Sequence, residues 1–236
     1  MMKRAIFLTA LLVALFPGPG VQAQAQAQPV LVELFSSQGC SSCPPADRLL
    51  QDLAGREDVV ALALHVDYWD YIGWKDSFAR PEFTARQRAY AREAGSEMVY
   101  TPQMIIDGTD AVMGSRPAQV ARLIASHRSA PPTADLKVTR QGGRLSISAR
   151  ARSGMRGRCT VRLVRYRPRA SVAIASGENA GRTLDYANVA TEISDLGQWD
   201  MSRPLELEAP MAGDLPGVVI VQMGRFGPVQ AVARID

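Results

Sequence analysis

Two cysteines separated by two serines, Cys40-Ser41-Ser42-Cys43, stand between an apolar run and the opening of a helix. The run before them, Val30-Leu31-Val32-Glu33-Leu34-Phe35, reads as a short buried strand, and Ser36 to Cys40 as a turn. After them Pro44-Pro45 takes first-turn positions, where a missing N–H costs nothing. Leu49, Leu50 and Leu53 then recur at helical spacing until Gly55 ends the helix. The strand and helix signals keep alternating. Val59 to Asp67 is a second buried strand, Tyr68 to Trp74 an aromatic loop, and Pro81 to Ala94 a polar helix. Val99 to Asp107 is a third strand, turned by Asp107-Gly108 into Ala111 to Gly114. Ser115 then caps a helix over Arg116 to His127. The order β-α-β-α-β-β-α calls for an α/β domain with a mixed sheet and helices on its faces.

The position of the cysteines dictates their chemistry. Two thiols in a first helical turn close a compact disulfide. The helix N-terminus offers roughly half a positive charge and unpaired N–H groups, which stabilise a thiolate on Cys40. Such settings lower a cysteine pKa from about 8.5 to between about 3.5 and 7.5. Cys40 is thus the expected nucleophile, and Cys43, one turn deeper, the resolving thiol. Two other readings stay open. One is a purely structural disulfide. The other is a soft metal such as Cu(I) held by the two thiolates, as in a copper-binding or metallochaperone protein. A zinc site needs two more ligands, and Cys159, His65 and His127 show no paired ligand spacing.

The first residues suggest an exported chain. Lys3 and Arg4 precede an apolar run from Ala5 to Phe16, which Pro17 to Gly20 break ahead of Ala-Gln cleavage sites. A bilayer span needs about 20 residues, more than this run supplies, so 1–27 reads as a signal peptide and the expected location is periplasmic or secreted. Removing Lys3 and Arg4 lowers the net charge from +4 to +2. Arg150 to Arg169 holds eight arginines and no acid. In a chain with 24 Arg and 3 Lys this reads as solvated strand faces rather than a nucleic-acid surface.

After Pro131-Pro132 the pattern changes to period two, in Leu136 to Thr139, Leu145 to Ser148, Val161 to Leu163 and Leu205 to Glu208. Val218 to Val221 and Val229 to Ile235 add strands, with Gly or Pro breaking the chain between them. The expected division is a domain over 28–130 and a smaller all-β, sandwich-like domain over 131–236.

Three segments, Val32 to Asp47, His65 to Asp70 and Tyr100-Thr101-Pro102-Gln103, resemble a family of secreted, thioredoxin-like bacterial proteins of unassigned function. The resemblance extends to Gly177-Glu178-Asn179-Ala180-Gly181-Arg182-Thr183-Leu184. It implies a thioredoxin-like N-terminal domain and a cis Pro102 facing the cysteines, with Thr101-Pro102 offering backbone to an extended substrate. The sequence departs from the Trp-Cys-Gly-Pro-Cys of thioredoxin itself, so no reduction potential carries over.

Other residues have two readings each. Glu33 is either a buried acid relaying protons to Cys43 or a structural carboxylate. His65, Asp67 and Trp69 share a strand face, where a core role is the ordinary one. Trp69, Tyr71 and Trp74 either rim a substrate groove or pack the loop. Cys159, the odd cysteine, reads as a buried inert thiol. The expected function is a periplasmic thiol–disulfide oxidoreductase with catalytic Cys40, Cys43, Thr101 and Pro102. Its partners would be protein or small thiol and disulfide substrates, with no cofactor, no nucleic acid and no stable membrane insertion. The competing expectations are the copper-handling protein and a binding module stapled by a structural disulfide.

Overall fold

The computed structural model describes residues 28–152 and 154–235, so the expected signal segment 1–27 lies outside the described residues. Strand β1 (Val30–Ser36) lies parallel to β2 (Val59–His65), in register from Val30 with Val59 to Ser36 with His65. Helix α1 (Pro44–Ala54) makes the crossover between them. Strand β3 (Gln103–Ile106) runs antiparallel on the other side of β1. The turn Asp107-Gly108, followed by Thr109, joins it to β4 (Asp110–Met113). Both turn residues have positive φ, 44° and 73°. That is the primed geometry that suits a hairpin's twist and favours Asp-Gly. Helices α2 (Pro81–Glu93) and α3 (Pro117–Ser129) complete this half.

Strand alternation splits β1 between two cores. Val30, Val32 and Leu34 face α1 and α3, against Leu50, Val120 and Ile124. Leu31 and Phe35 face α2, against Phe83 and Tyr90. With both faces covered, β1 and β2 are buried throughout, which is why their sequences are almost uninterrupted apolar runs.

The second half is all strand among the described residues: β5 (Ala134–Gln141), β6 (Arg144–Ala151), β7 (Cys159–Ala173), β8 (Thr183–Trp199), β9 (Leu205–Pro210), β10 (Gly217–Met223) and β11 (Val229–Ile235). The sequence places a domain boundary at 131, but the main sheet runs across it. The eight-stranded order is β11-β10-β7-β8-β2-β1-β3-β4, with β5-β6-β9 as a separate antiparallel sheet. The junction is β8 lying parallel to β2, where Ala63 pairs with Val189. Without it, the edge of β2 would be left as a row of unpaired N–H and C=O groups. The expected sandwich is limited to one end. There the small sheet packs Leu145 and Ile147 against Val161, Val219 and Ala231 of the large one.

The β7–β8 hairpin matters most for function. Its strands are 15 and 17 residues long, enough to span about 50 Å at 3.3 Å per residue. It reaches from the small sheet to the helical layer over α1. Its sequence alternates only in short stretches, such as Val161 to Leu163, Val164 to Arg167 and Thr183 to Tyr186. The register shifts between Val161 and Arg162 and between Arg165 and Tyr166, where Leu196 and Thr191 of β8 are the extra residues, so no single period runs along β8.

Candidate functional site

The cysteine loop closes the carboxyl end of β1. Cys40 N–H donates to Ser37 O at 3.2 Å, and Cys43 N–H to Cys40 O at 3.2 Å. Cys43 caps α1, its carbonyl accepting from the N–H groups of Ala46 and Asp47 at 2.8 and 3.1 Å. Cys40 and Cys43 are joined in a disulfide with Cα atoms 5.4 Å apart. Both are fully buried, whereas Ser41 and Ser42 between them are exposed.

Two segments cover the loop. The first is the aromatic loop. A Cβ on Gly39 would lie 3.0 Å from Ile72 Cδ1 and 3.4 Å from Trp69 Cβ, so glycine lets this loop close on the cysteines. Trp69 Nε1 donates to Thr101 Oγ1 at 2.7 Å. The Thr101–Pro102 peptide is cis, as the sequence leads one to expect. Pro102 immediately precedes β3, whose Gln103 pairs with Phe35, so it stands level with the end of β1. Its carbonyl accepts from Gly114 N–H at 2.9 Å, and Gly114 in turn packs on Ala46 of α1.

The second cover is the tip of the β7–β8 hairpin. Asn179 is buried, and its Nδ2 donates to Gln38 O at 2.9 Å and to Cys40 O at 3.0 Å. Arg182 Nη1 donates to Asn179 Oδ1 at 2.7 Å and fixes the amide. Glu178 Oε2 accepts from Ser41 N–H at 3.1 Å. Ser176 Oγ donates to Gly73 O at 2.5 Å, tying the tip to the aromatic loop.

Beneath the loop lies a buried polar network. Ser36 Oγ donates to Asp47 Oδ1 at 2.7 Å. His65, beside Ser36 across the β1–β2 pair, meets Asp76 Oδ2 through Nδ1 at 2.7 Å. Asp76 also accepts from Gln38 N–H at 2.8 Å, and Gln38 Oε1 accepts from Trp74 Nε1 at 2.8 Å. Burial pushes the Asp47 carboxyl up to about 6, against the pull of nearby His65 and the Ser36 hydroxyl. Burial opposes charge on His65 as well, but Asp76 and Asp47 outweigh it and raise the imidazole. Asp76 is held low because His65 and the backbone N–H groups of Gln38 and Phe78 outweigh its desolvation. The result is an ion pair, His65–Asp76, next to a carboxyl that keeps its proton to near neutral pH.

The four catalytic residues expected from sequence share one end of the sheet. Cys40 and Cys43 form the bridge, and Thr101-Pro102 is tied to their loop through Trp69. Glu33 is not among them. It lies on the opposite face of β1, bonded by Arg86 at 2.8 and 3.0 Å and by Tyr90 Oη at 2.5 Å. Alternation puts Leu34, not Glu33, on the α1 side. Asp67 accepts from Thr84 Oγ1 at 2.6 Å, and Tyr71 is 82 % exposed. Cys159 is buried, and burial pushes its thiol up to about 11. Among the described residues no cluster of His, Cys, Asp or Glu is arranged to hold a metal.

Sequence reasoning on the residues alone missed Asp47, Asp76, Glu178 and Asn179 as parts of the site. The last two lie 137 and 139 residues from the atoms they contact. The one signal for them was the shared segment Gly177 to Leu184.

A family described as a protein of unknown function, DUF1223, matches residues 31–222. The crystal structure of protein AGR_C_4864 from Agrobacterium tumefaciens is similar over 89% of this chain and 95% of that one, with 31% identity and a TM-score of 0.77. A domain of the outer membrane lipoprotein Omp28 from Porphyromonas gingivalis overlaps 45% of this chain and 89% of its own, at 7% identity and a TM-score of 0.23. No curated protein matches the sequence.

Proposed function

We propose that this chain, which belongs to the DUF1223 family, is an exported thiol–disulfide oxidoreductase of thioredoxin-like design. The observation that carries the reading is the Cys40–Cys43 disulfide at the mouth of α1, directly above buried ionisable groups. A merely structural staple needs neither the helix N-terminus nor a carboxyl that holds a proton to about pH 6.

In the reduced protein, Cys40 thiolate attacks one sulfur of a substrate disulfide. The substrate S–S bond breaks, and its electron pair leaves on the other substrate sulfur as a thiolate. Cys43 then loses its proton and attacks Cys40 Sγ. This displaces the second substrate thiolate and restores the Cys40–Cys43 bond. Asp47 lies one turn after Cys43 on the same face of α1, the i to i+4 relationship. It is the acid placed to exchange the Cys43 proton. Read backwards, the same steps oxidise a substrate dithiol.

Both cysteines are covered, so a substrate reaches Cys40 when the aromatic loop and the hairpin tip move aside. Trapping tests the reading. Cys43→Ser leaves the Cys40 adduct without a resolving thiol, so reducible mixed disulfides should accumulate on a non-reducing gel of periplasmic extract. Cys40→Ser should accumulate few. Equal amounts with both variants, or none with either, would remove the assignment.

A further inference from the structure

The tip of the β7–β8 hairpin brings an acid to the place where the proposed chemistry needs a negative charge of its own. Ser41 N–H belongs to the turn at the mouth of α1, the group of donors that would stabilise a Cys40 thiolate. In the oxidised protein this N–H is already given to Glu178 Oε2 at 3.1 Å. Glu178 is exposed and makes no ion pair among the described residues. Its neighbour Asn179 is buried and doubly bonded to the loop, so the tip cannot drift away while the amide stays seated. The carboxylate is therefore held beside the cysteine turn by a built anchor rather than by its own weak hydrogen bond.

We propose that Glu178 is a positioning residue that restrains ionisation of Cys40 while the hairpin tip is seated, and so sets how oxidising the Cys40–Cys43 bond is. The inference rests on the oxidoreductase reading. A thiolate forming at Cys40 loses one N–H donor to Glu178 and meets a like charge held on the N–H of the next residue, both of which favour the thiol. When the tip lifts, donor and field are released together, so the step that uncovers Cys40 also activates it. Other charged or titratable groups on the elements packed about the loop include Asp47, Arg48 and Asp52 of α1, His65 of β2, Asp70 and Tyr71 of the aromatic loop, Lys75 and Asp76 just after it, and Arg182 and Asp185 of the hairpin. Arg182 donates to Asn179 Oδ1 and His65 is paired with Asp76. Asp76 accepts from Gln38 N–H ahead of the cysteines, whereas Glu178 is the acid whose carboxylate takes the N–H of Ser41, between them.

The test is Glu178→Gln in the full chain. The amide keeps an acceptor for Ser41 N–H and removes the charge. The readouts are the pH dependence of Cys40 alkylation in the reduced protein and the equilibrium of the disulfide with glutathione. In that equilibrium two glutathione thiols give up two electrons and two protons to the protein disulfide and leave as one glutathione disulfide. The variant should ionise Cys40 about half to one pH unit lower, as expected for one like charge removed near the surface. Its equilibrium constant for reduction should rise about three- to tenfold, or 15 to 30 mV by the two-electron conversion. Raising the salt concentration should shrink the difference between the two proteins. Unchanged or higher Cys40 pKa in Glu178→Gln, with native circular dichroism, would overturn the proposal. If the pKa falls as expected while Cys43→Ser traps no partner, the electrostatic role stands and the oxidoreductase reading falls. The reverse pair of results removes Glu178 alone.

Discussion

Asn179 Nδ2 donates to the carbonyl oxygen of Cys40 at 3.0 Å across 139 residues of chain. This one bond ties the second half of the molecule to the disulfide, and a second, to Gln38 O at 2.9 Å, makes it a clamp. The β7–β8 hairpin thus contributes to the site as well as to the sheet.

Replacing Asn179 with Ala should unseat the tip. It leaves the Gln38 and Cys40 carbonyls and Arg182 Nη1 without the amide, for a stability loss of about 1–3 kcal/mol. Because both cysteines are covered in the closed form, reduction of the disulfide by dithiothreitol should speed up by about tenfold or more, in the way local opening governs access. A reduction rate equal to that of the parent would show that the tip does not guard the bond.

Asp47 predicts the direction of the pH dependence. Folding raises its carboxyl from 3.8 to about 6, so the folded chain holds a proton that the unfolded chain releases. Stability from this group therefore rises as pH falls through about 6 toward 4. At higher pH the buried carboxylate costs about 3 kcal/mol. His65, also raised, acts in the same sense, its contribution present at low pH and lost as pH rises through its folded value. Asp76, held low, favours the fold above the ordinary carboxylate range and loses its contribution only in stronger acid. Asp47→Asn keeps an acceptor for Ser36 and should be more stable than the parent at about pH 8 but not at about pH 5. Thermal unfolding at the two pH values checks this.

Glu33 and Arg86 form a buried ion pair, 0 % and 4 % exposed, on the α2 face. Arg86→Met leaves Glu33 as an uncompensated buried charge and should cost about 3–5 kcal/mol. Adding Glu33→Leu should recover most of that, and neither change should move the Cys40 pKa. A shift in that pKa would return Glu33 to the proton path.

Cys159 should resist alkylation in the folded protein, since it is buried and its thiol is pushed up to about 11. Mass analysis after iodoacetamide treatment of the reduced, native chain should find label on Cys40, which is reached when the covering loop and hairpin tip move aside, and none on Cys159. Label on Cys159 without denaturant would contradict its burial.

What the sequence reveals depends on how local each feature is. β1, α1 and β2 are plain in it because both faces of those strands are covered and apolar runs follow directly. The Asp107-Gly108 turn is equally plain, because positive φ selects its residues. Local order at a strand-to-helix turn points to Cys40 and Cys43, whereas Thr101 and Pro102 enter through the family resemblance. The junction of β8 with β2 was not visible. It rests on a single register pair between a mixed polar strand and a buried one, and no period marks it. Asp47 looks like an ordinary first-turn acid until Ser36, His65 and Asp76 are seen around it. Glu178 and Asn179 act through hydrogen bonds that fold back over more than a hundred residues, and no spacing rule reports such contacts.

The most direct test of the central claim is the equilibrium reduction potential of the Cys40–Cys43 bond, measured against glutathione in the folded full chain. A working redox pair should titrate above about −300 mV, within the span occupied by thioredoxin, isomerases and periplasmic oxidants. A value below about −300 mV, with the bond untouched by glutathione, would mark it as a structural staple and contradict the account.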